Sequence, residues 1–235
     1  MDFTRETHNT FAAKAYDQGL RQYMLGVYQY MCTALGVTAI VAYFASTSQP
    51  LMHTLHATGM HIIVGLAPIF LAVGLSFKIR TMRPSTAQYL FWLFSALMGL
   101  SLSVIFLIYT GLSIARVFFI ASSIFGAMAI YGHTTKKSLQ GMGAFLFMGL
   151  IGLIIASVIN LFLHSSALHF ATSAIGVVVF AGLTAYDTQR IQSIYYQLGG
   201  NQEAAQKFAV IGALNLYMDF INLFVSLLTL FGERR

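Results

Sequence analysis

Long runs without a charged residue recur along this chain, and they limit its fold more than any other feature. Seven apolar segments can be read, at roughly 23–46, 58–77, 87–109, 113–132, 141–163, 168–187 and 208–231. Each is close to the ~20 residues a helix needs to cross the hydrocarbon of a bilayer. Composition agrees: 57% of the residues are hydrophobic and 9% are charged, where a soluble domain carries about a quarter charged residues. Backbone groups in hydrocarbon must pair within their own segment, which favours helices. A transmembrane β-barrel needs alternating polar and apolar residues, and Ile151-Gly152-Leu153-Ile154-Ile155 does not alternate. The expected fold is therefore an all-α membrane protein with seven transmembrane helices. It divides into an N-terminal arm, 1–22, and a single seven-helix domain, 23–235.

Charge sets the expected orientation. The arm holds Asp2, Arg5, Glu6, Lys14, Asp17 and Arg21, which is not the pattern of a cleaved signal peptide. Arg5, Lys14 and Arg21 precede the first span. Lys78, Arg80 and Arg83 follow the second, Lys136 and Lys137 the fourth, and Arg190 and Lys207 the sixth. These ten residues share one side, and the opposite connections contain only Arg116. The positive-inside rule makes the N-terminus cytoplasmic. Arg234 and Arg235 leave the last segment open: it either crosses fully or re-enters and returns them to the cytoplasm. The net charge of +6 reports topology here, and no nucleic-acid partner is expected. Cys32 stands alone, so an internal disulfide is excluded. Small residues four apart, Ser95, Gly99 and Ser103, then Ser122 and Gly126, suit close helix approach. Pro68 is expected to kink the second span.

From Phe208 to Gly232 the one Asp, Glu, Lys or Arg is Asp219. Gly212, Asn215, Asp219, Asn222 and Ser226 follow one another at offsets of 3, 4, 3 and 4 residues. On a helix they form one polar stripe. A charge at the bilayer centre costs at least ~2.5–3.5 kcal/mol, so the stripe must face other helices or a wet cavity.

Asp187 closes the sixth apolar segment, in GLTAYDTQR. Counted from Phe208, Asp219 lies about 17 Å deep at 1.5 Å per residue. The two aspartates meet only if the seventh helix begins outside the bilayer, entering near Gly212. If they meet, two carboxylates at one site cannot both ionise easily and titrate as a unit. Carboxylate and amide oxygens also make a hard-ligand set suited to Ca²⁺, and protonation weakens their hold on a cation. The plainer accounts are interhelical hydrogen bonding for Asp219, and solvation or pairing with Arg190 for Asp187.

LTAYDTQRI, LNLYMDFINLFVSLLTLFG and YGHTTKKSL (131–139) resemble the signature of the Bax inhibitor one, or transmembrane Bax inhibitor motif, family in its bacterial inner-membrane branch. The resemblance covers nearly all of the chain after residue 20. It implies six helices around a central seventh, and an inner-membrane location. It implies that Asp187 and Asp219 form a hydrogen-bonded, pH-sensing pair in a pH-sensitive Ca²⁺ leak channel. It also implies a basic latch at the cytoplasmic end of the second helix, Lys78 or Arg80. Some relatives carry an acidic residue in that helix. This chain has none between Asp17 and Asp187.

The functional expectation is a Ca²⁺ leak pathway. Asp187 and Asp219 serve as sensor and ion-proximal ligands, and Asn215, Asn222 and Ser226 line the seam. No cofactor is expected, and Ca²⁺ enters as permeant or regulatory ion. The partners are the lipid bilayer, Ca²⁺ and protons. An alternative is a binding protein that modulates a membrane-bound ATP-dependent protease, with residues 1–20 and the linker 188–207 as contact surfaces. A third is a pH-coupled transporter of a small solute. His53, His56, His61, His164 and His169 gather at outer connections but lack the converging ligands of a zinc site. No phosphate loop or HExxH motif is present, and an enzyme is not expected.

Overall fold

The computed structural model describes residues 3–79 and 81–235, with side chains from Gln18 onward except at 55, 56, 61 and 62. Helices dominate: α1 (Phe3–Thr47), α2 (Gln49–Ala57), α3 (Met60–Lys78), α4 (Pro84–Leu102), α5 (Ile105–Ile108), α6 (Gly111–Thr134), α7 (Gln140–Leu163), α8 (Ser166–Gln197) and α9 (Gln202–Phe231). Among the described residues six spans are long and apolar enough to cross a membrane, supplied by α1, α4 with α5, α6, α7, α8 and α9. α3 stands where the second span is expected, but its described apolar part, Ile63–Lys78, is shorter. It remains helical through Pro68.

Helix ends follow their local sequences. Pro84 opens α4, where a missing N–H is harmless. Side-chain oxygens of Thr110, Ser165 and Asn201 cap α6, α8 and α9 by accepting from backbone N–H groups three residues on. Gly199 and Gly200, at φ 56° and 86°, make the turn between α8 and α9, in a region of backbone space that favours glycine.

Three boundaries differ from the sequence reading. α1 runs from Phe3 through the expected 22/23 boundary without a break. The third span breaks at Ser103–Val104, between α4 and α5. The linker 188–207 is mostly helix, since α8 continues to Gln197 and α9 begins at Gln202. Its Gln, Ala, Glu and Lys residues are good helix formers, and an apolar count does not register them.

α9 lies deepest. Of its apolar window 67% is buried, against 28–33% for α1, α4, α6 and α8 and 6% for α7. It packs against α8, α1, α6, α4 and α3, while α7 packs on α8. Small residues permit some of these approaches. A Cβ on Gly99 would lie 2.7 Å from the Thr38 carbonyl oxygen, so α4 meets α1 there. Gly126 meets nothing within 4 Å. The buried stripe of α6 is Val117, Ala121, Phe125, Ala129 and Gly132, which leaves Ser122 and Gly126 turned away from it.

The C-terminal tail ends on the connection between α5 and α6. Thr110 N donates to Glu233 O (3.1 Å) and Arg235 N to Ile108 O (2.9 Å). Glu233 N donates to Ser113 Oγ (2.9 Å), and Arg116 pairs with Glu233 at 3.6 Å. α9 therefore does not turn back. Arg234 and Arg235 lie at the end of the bundle opposite the connections that carry most of the basic residues.

Candidate functional site

Two small residues set the register of α8 on α9. A Cβ on Gly212 would sit 3.1 Å from Ile191, and one on Gly176 would sit 2.7 Å from Ser226 Oγ. In that antiparallel register Asp187 is level with Leu216, three residues from Asp219 and about 4.5 Å along the axis. Side chains lean toward the N-terminus of their own helix. Asp187 therefore leans toward Asp219, and Asp219 toward Asp187. The two carboxyl groups are therefore turned toward each other, and each feels the other's charge. Asp219 is 5% exposed, and its Oδ2 has no hydrogen-bond partner among the described residues. Asp187 is half-buried.

Both helices run on past the apolar segments read from the sequence. Asp219 is 17 residues into α9 and Asp187 is ten residues short of the end of α8. Asp187 ends an apolar run but not a helix.

The rest of the stripe is mixed. Gly212 and Ser226 face α8. Asn222 Nδ2 donates back to Met218 O (2.8 Å), so part of its amide is spent within α9. Asn215 is half-buried. Lys78 is exposed, and its carbonyl accepts from Thr81 N and Oγ1 and from Met82 N. The basic group whose charge reaches Asp187 is Arg190, three residues along α8. Arg80 lies outside the described residues. Among the described residues no three His, Cys, Asp or Glu side chains gather as metal ligands. His53, His164 and His169 are exposed, and the side chains of His56 and His61 lie outside those described.

Sequence reasoning gave no role to what holds Asp187 in place. Gly132 lies against the backbone of Ala185, where a Cβ would be 2.2 Å from the carbonyl oxygen. Gly143 lies against the ring of Tyr186, and Gly182 against Leu146. Gln189 bridges the loop between α6 and α7: its Nε2 donates to Lys137 O (2.9 Å) and its Oε1 accepts from Leu139 N (2.8 Å). His133 contacts Gln192. The YGHTTKKSL stretch is thus fastened to the turns of α8 on either side of Asp187. The stretch was visible in the sequence, but its contacts join residues 50 or more positions apart.

A second polar contact was also missed. Tyr217 is fully buried. Its hydroxyl pairs with Thr38 Oγ1 at 2.8 Å, and Thr38 Oγ1 donates to Ser95 O at 2.9 Å. No charge marks this network in the sequence.

The family model described as Inhibitor of apoptosis-promoting Bax1 matches residues 20–235. An uncharacterized Rickettsia prowazekii protein is 50% identical over 235 residues, 100% of this chain and 99% of its own. The inner membrane protein YbhL of Escherichia coli K12 is 46% identical over 220 residues, 92% of this chain and 94% of its own. A Borreliella burgdorferi protein is 40% identical over 215 residues, 91% of this chain and 93% of its own.

Proposed function

This multi-span membrane protein belongs to the Bax inhibitor-1 family, and on that premise we propose that it is a pH-sensitive Ca²⁺ leak channel of the inner membrane, gated by protonation of Asp187 and Asp219. The observation that supports this reading is the register of α8 on α9, which turns Asp187 and Asp219 toward each other, with Asp219 5% exposed and its Oδ2 without a partner among the described residues. Intramembrane carboxyl groups mark ion or proton pathways by default.

The chemistry follows from proximity. Two carboxylates in contact repel, and in a low-dielectric site the repulsion is large. A proton held between them relieves it, and so does a divalent cation. When both groups ionise, they form a hard-oxygen site that suits Ca²⁺. Two carboxylates fall short of the six to eight oxygens of a resident Ca²⁺ site, which fits an ion in transit. Acid supplies the proton and removes the negative charge, so cation flux falls as pH falls. Asn222 and Ser226 continue the polar stripe along α9.

The test uses the full chain in vesicles loaded with a Ca²⁺ indicator. Asp219→Asn is expected to abolish the pH dependence of the flux. If the variant conducts as the parent does at every pH, the proposal is wrong.

A further inference from the structure

A crevice opens sideways between α1, the α4–α5 break and α6, with α9 as its floor. Its walls are Ala39 and Ala42 on one side and Phe106 and Phe118 on the other, over Phe220 and Phe224. Phe118 meets Phe220 and Phe224 edge-on, at 5.4 and 6.3 Å between ring centroids. The one polar residue along it is Thr38, whose hydroxyl is engaged with Ser95 O and Tyr217. An apolar void of this kind does not hold water. Ala39 at its mouth is exposed, so the crevice is open to whatever surrounds the bundle.

Its upper end is basic. Ile105 and Phe106 lead within one turn to Ile108 and Tyr109, where the C-terminal tail is pinned. That pinning holds Arg234 and Arg235, both exposed, on the α5–α6 connection, while Arg116 pairs with Glu233. Glu233 offsets one of the three positive charges.

From this combination we infer that the crevice is a binding site for an anionic phospholipid of the leaflet on the tail side. One acyl chain lies along Ala39, Phe106 and Phe118, and the phosphate lies at Arg234 and Arg235, since Arg116 leaves α6 on the face opposite Ile114 and Phe118. A chain there touches Phe220, next to Asp219 in the sequence, so the lipid supports α9 directly. The site stands independently of the Ca²⁺ reading.

The test is fluorescence quenching by brominated phospholipids, using the full chain in vesicles. Trp92 is the one tryptophan, so Trp92→Phe with Phe106→Trp places a single reporter on the α5 part of the phenylalanine wall, and Trp92→Phe with Phe118→Trp places one on its α6 part. Brominated phosphatidylglycerol, mixed with unlabelled phosphatidylcholine, is expected to quench either reporter more strongly than brominated phosphatidylcholine in the reverse mixture. Arg234→Ala and Arg235→Ala together should lower that preference, by about fivefold per arginine. Ala39→Phe should reduce quenching by both lipids. Equal quenching by the two headgroups, an unchanged preference without the arginines, or no quenching of either reporter would overturn the site.

Discussion

Tyr217 and Asp219 leave α9 on opposite faces. Two residues along a helix turn about 200°. Tyr217 reaches Thr38 on α1, at 2.8 Å, and Asp219 is turned toward α8 and the charge of Asp187. α9, the most buried span, therefore carries polar groups on both sides at one depth, and its rotation would disturb both.

Removing the Tyr217 hydroxyl should be mild. Thr38 keeps its bond to Ser95 O at 2.9 Å, so Tyr217→Phe strands no buried donor. The expected loss is about 0.5–1.5 kcal/mol, seen as a lower midpoint of thermal unfolding in detergent. A loss as large as that of a core truncation such as Phe94→Ala, about 3–5 kcal/mol, would show that the hydroxyl does more than close this bond.

The aspartates should behave as one unit. Asp187→Asn and Asp219→Asn are each expected to remove the pH dependence of Ca²⁺ flux, and the double variant to do no more than either. Two strongly interacting groups titrate together, and residues acting together are not additive. The measurement is flux into indicator-loaded vesicles from acid to alkaline pH. Single variants that each retain half of the pH dependence would show independent groups.

Gln189 should hold the 134–139 loop. Gln189→Ala removes both the donor to Lys137 O and the acceptor for Leu139 N, at about 0.5–1.5 kcal/mol per bond. Hydrogen exchange at the Leu139 amide should accelerate, while the amides in the middle of α9 stay protected. Unchanged exchange at Leu139 would mean that the loop is held by something else.

Two glycines of α6 should respond with opposite signs. A Cβ on Gly132 would come within 2.2 Å of the Ala185 carbonyl oxygen, while one on Gly126 meets nothing. Gly132→Ala must push α6 from α8 beside Asp187, at a loss of about 1–3 kcal/mol. Gly126→Ala should be neutral or stabilise by up to about 1 kcal/mol, because mid-helix glycine is unfavourable. Thermal unfolding of the two variants side by side decides it.

The parts of this structure that could be read from the sequence share a cause. Apolar runs report burial in hydrocarbon, so the positions of α1, α4, α6, α7, α8 and α9 could be read. Helices that leave the hydrocarbon stay helical on polar residues, so the ends of α8 and α9 could not. That error placed Asp187 at an end when it lies ten residues inside α8. Asp219 was legible because one carboxylate in an apolar run is conspicuous. Tyr217, Gln189 and Gly132 were not, since each owes its role to a partner distant in the sequence.

The pinned tail also decides how the molecule can be instrumented. Glu233, Arg234 and Arg235 are held on Ile108, Tyr109 and Thr110, whereas the 134–139 loop is fastened beside Asp187 at the other end of the bundle. A reporter joined after Arg235 and a label at exposed Lys136 therefore sample opposite compartments. One sealed-vesicle accessibility experiment with both probes would fix which way the protein sits in its membrane.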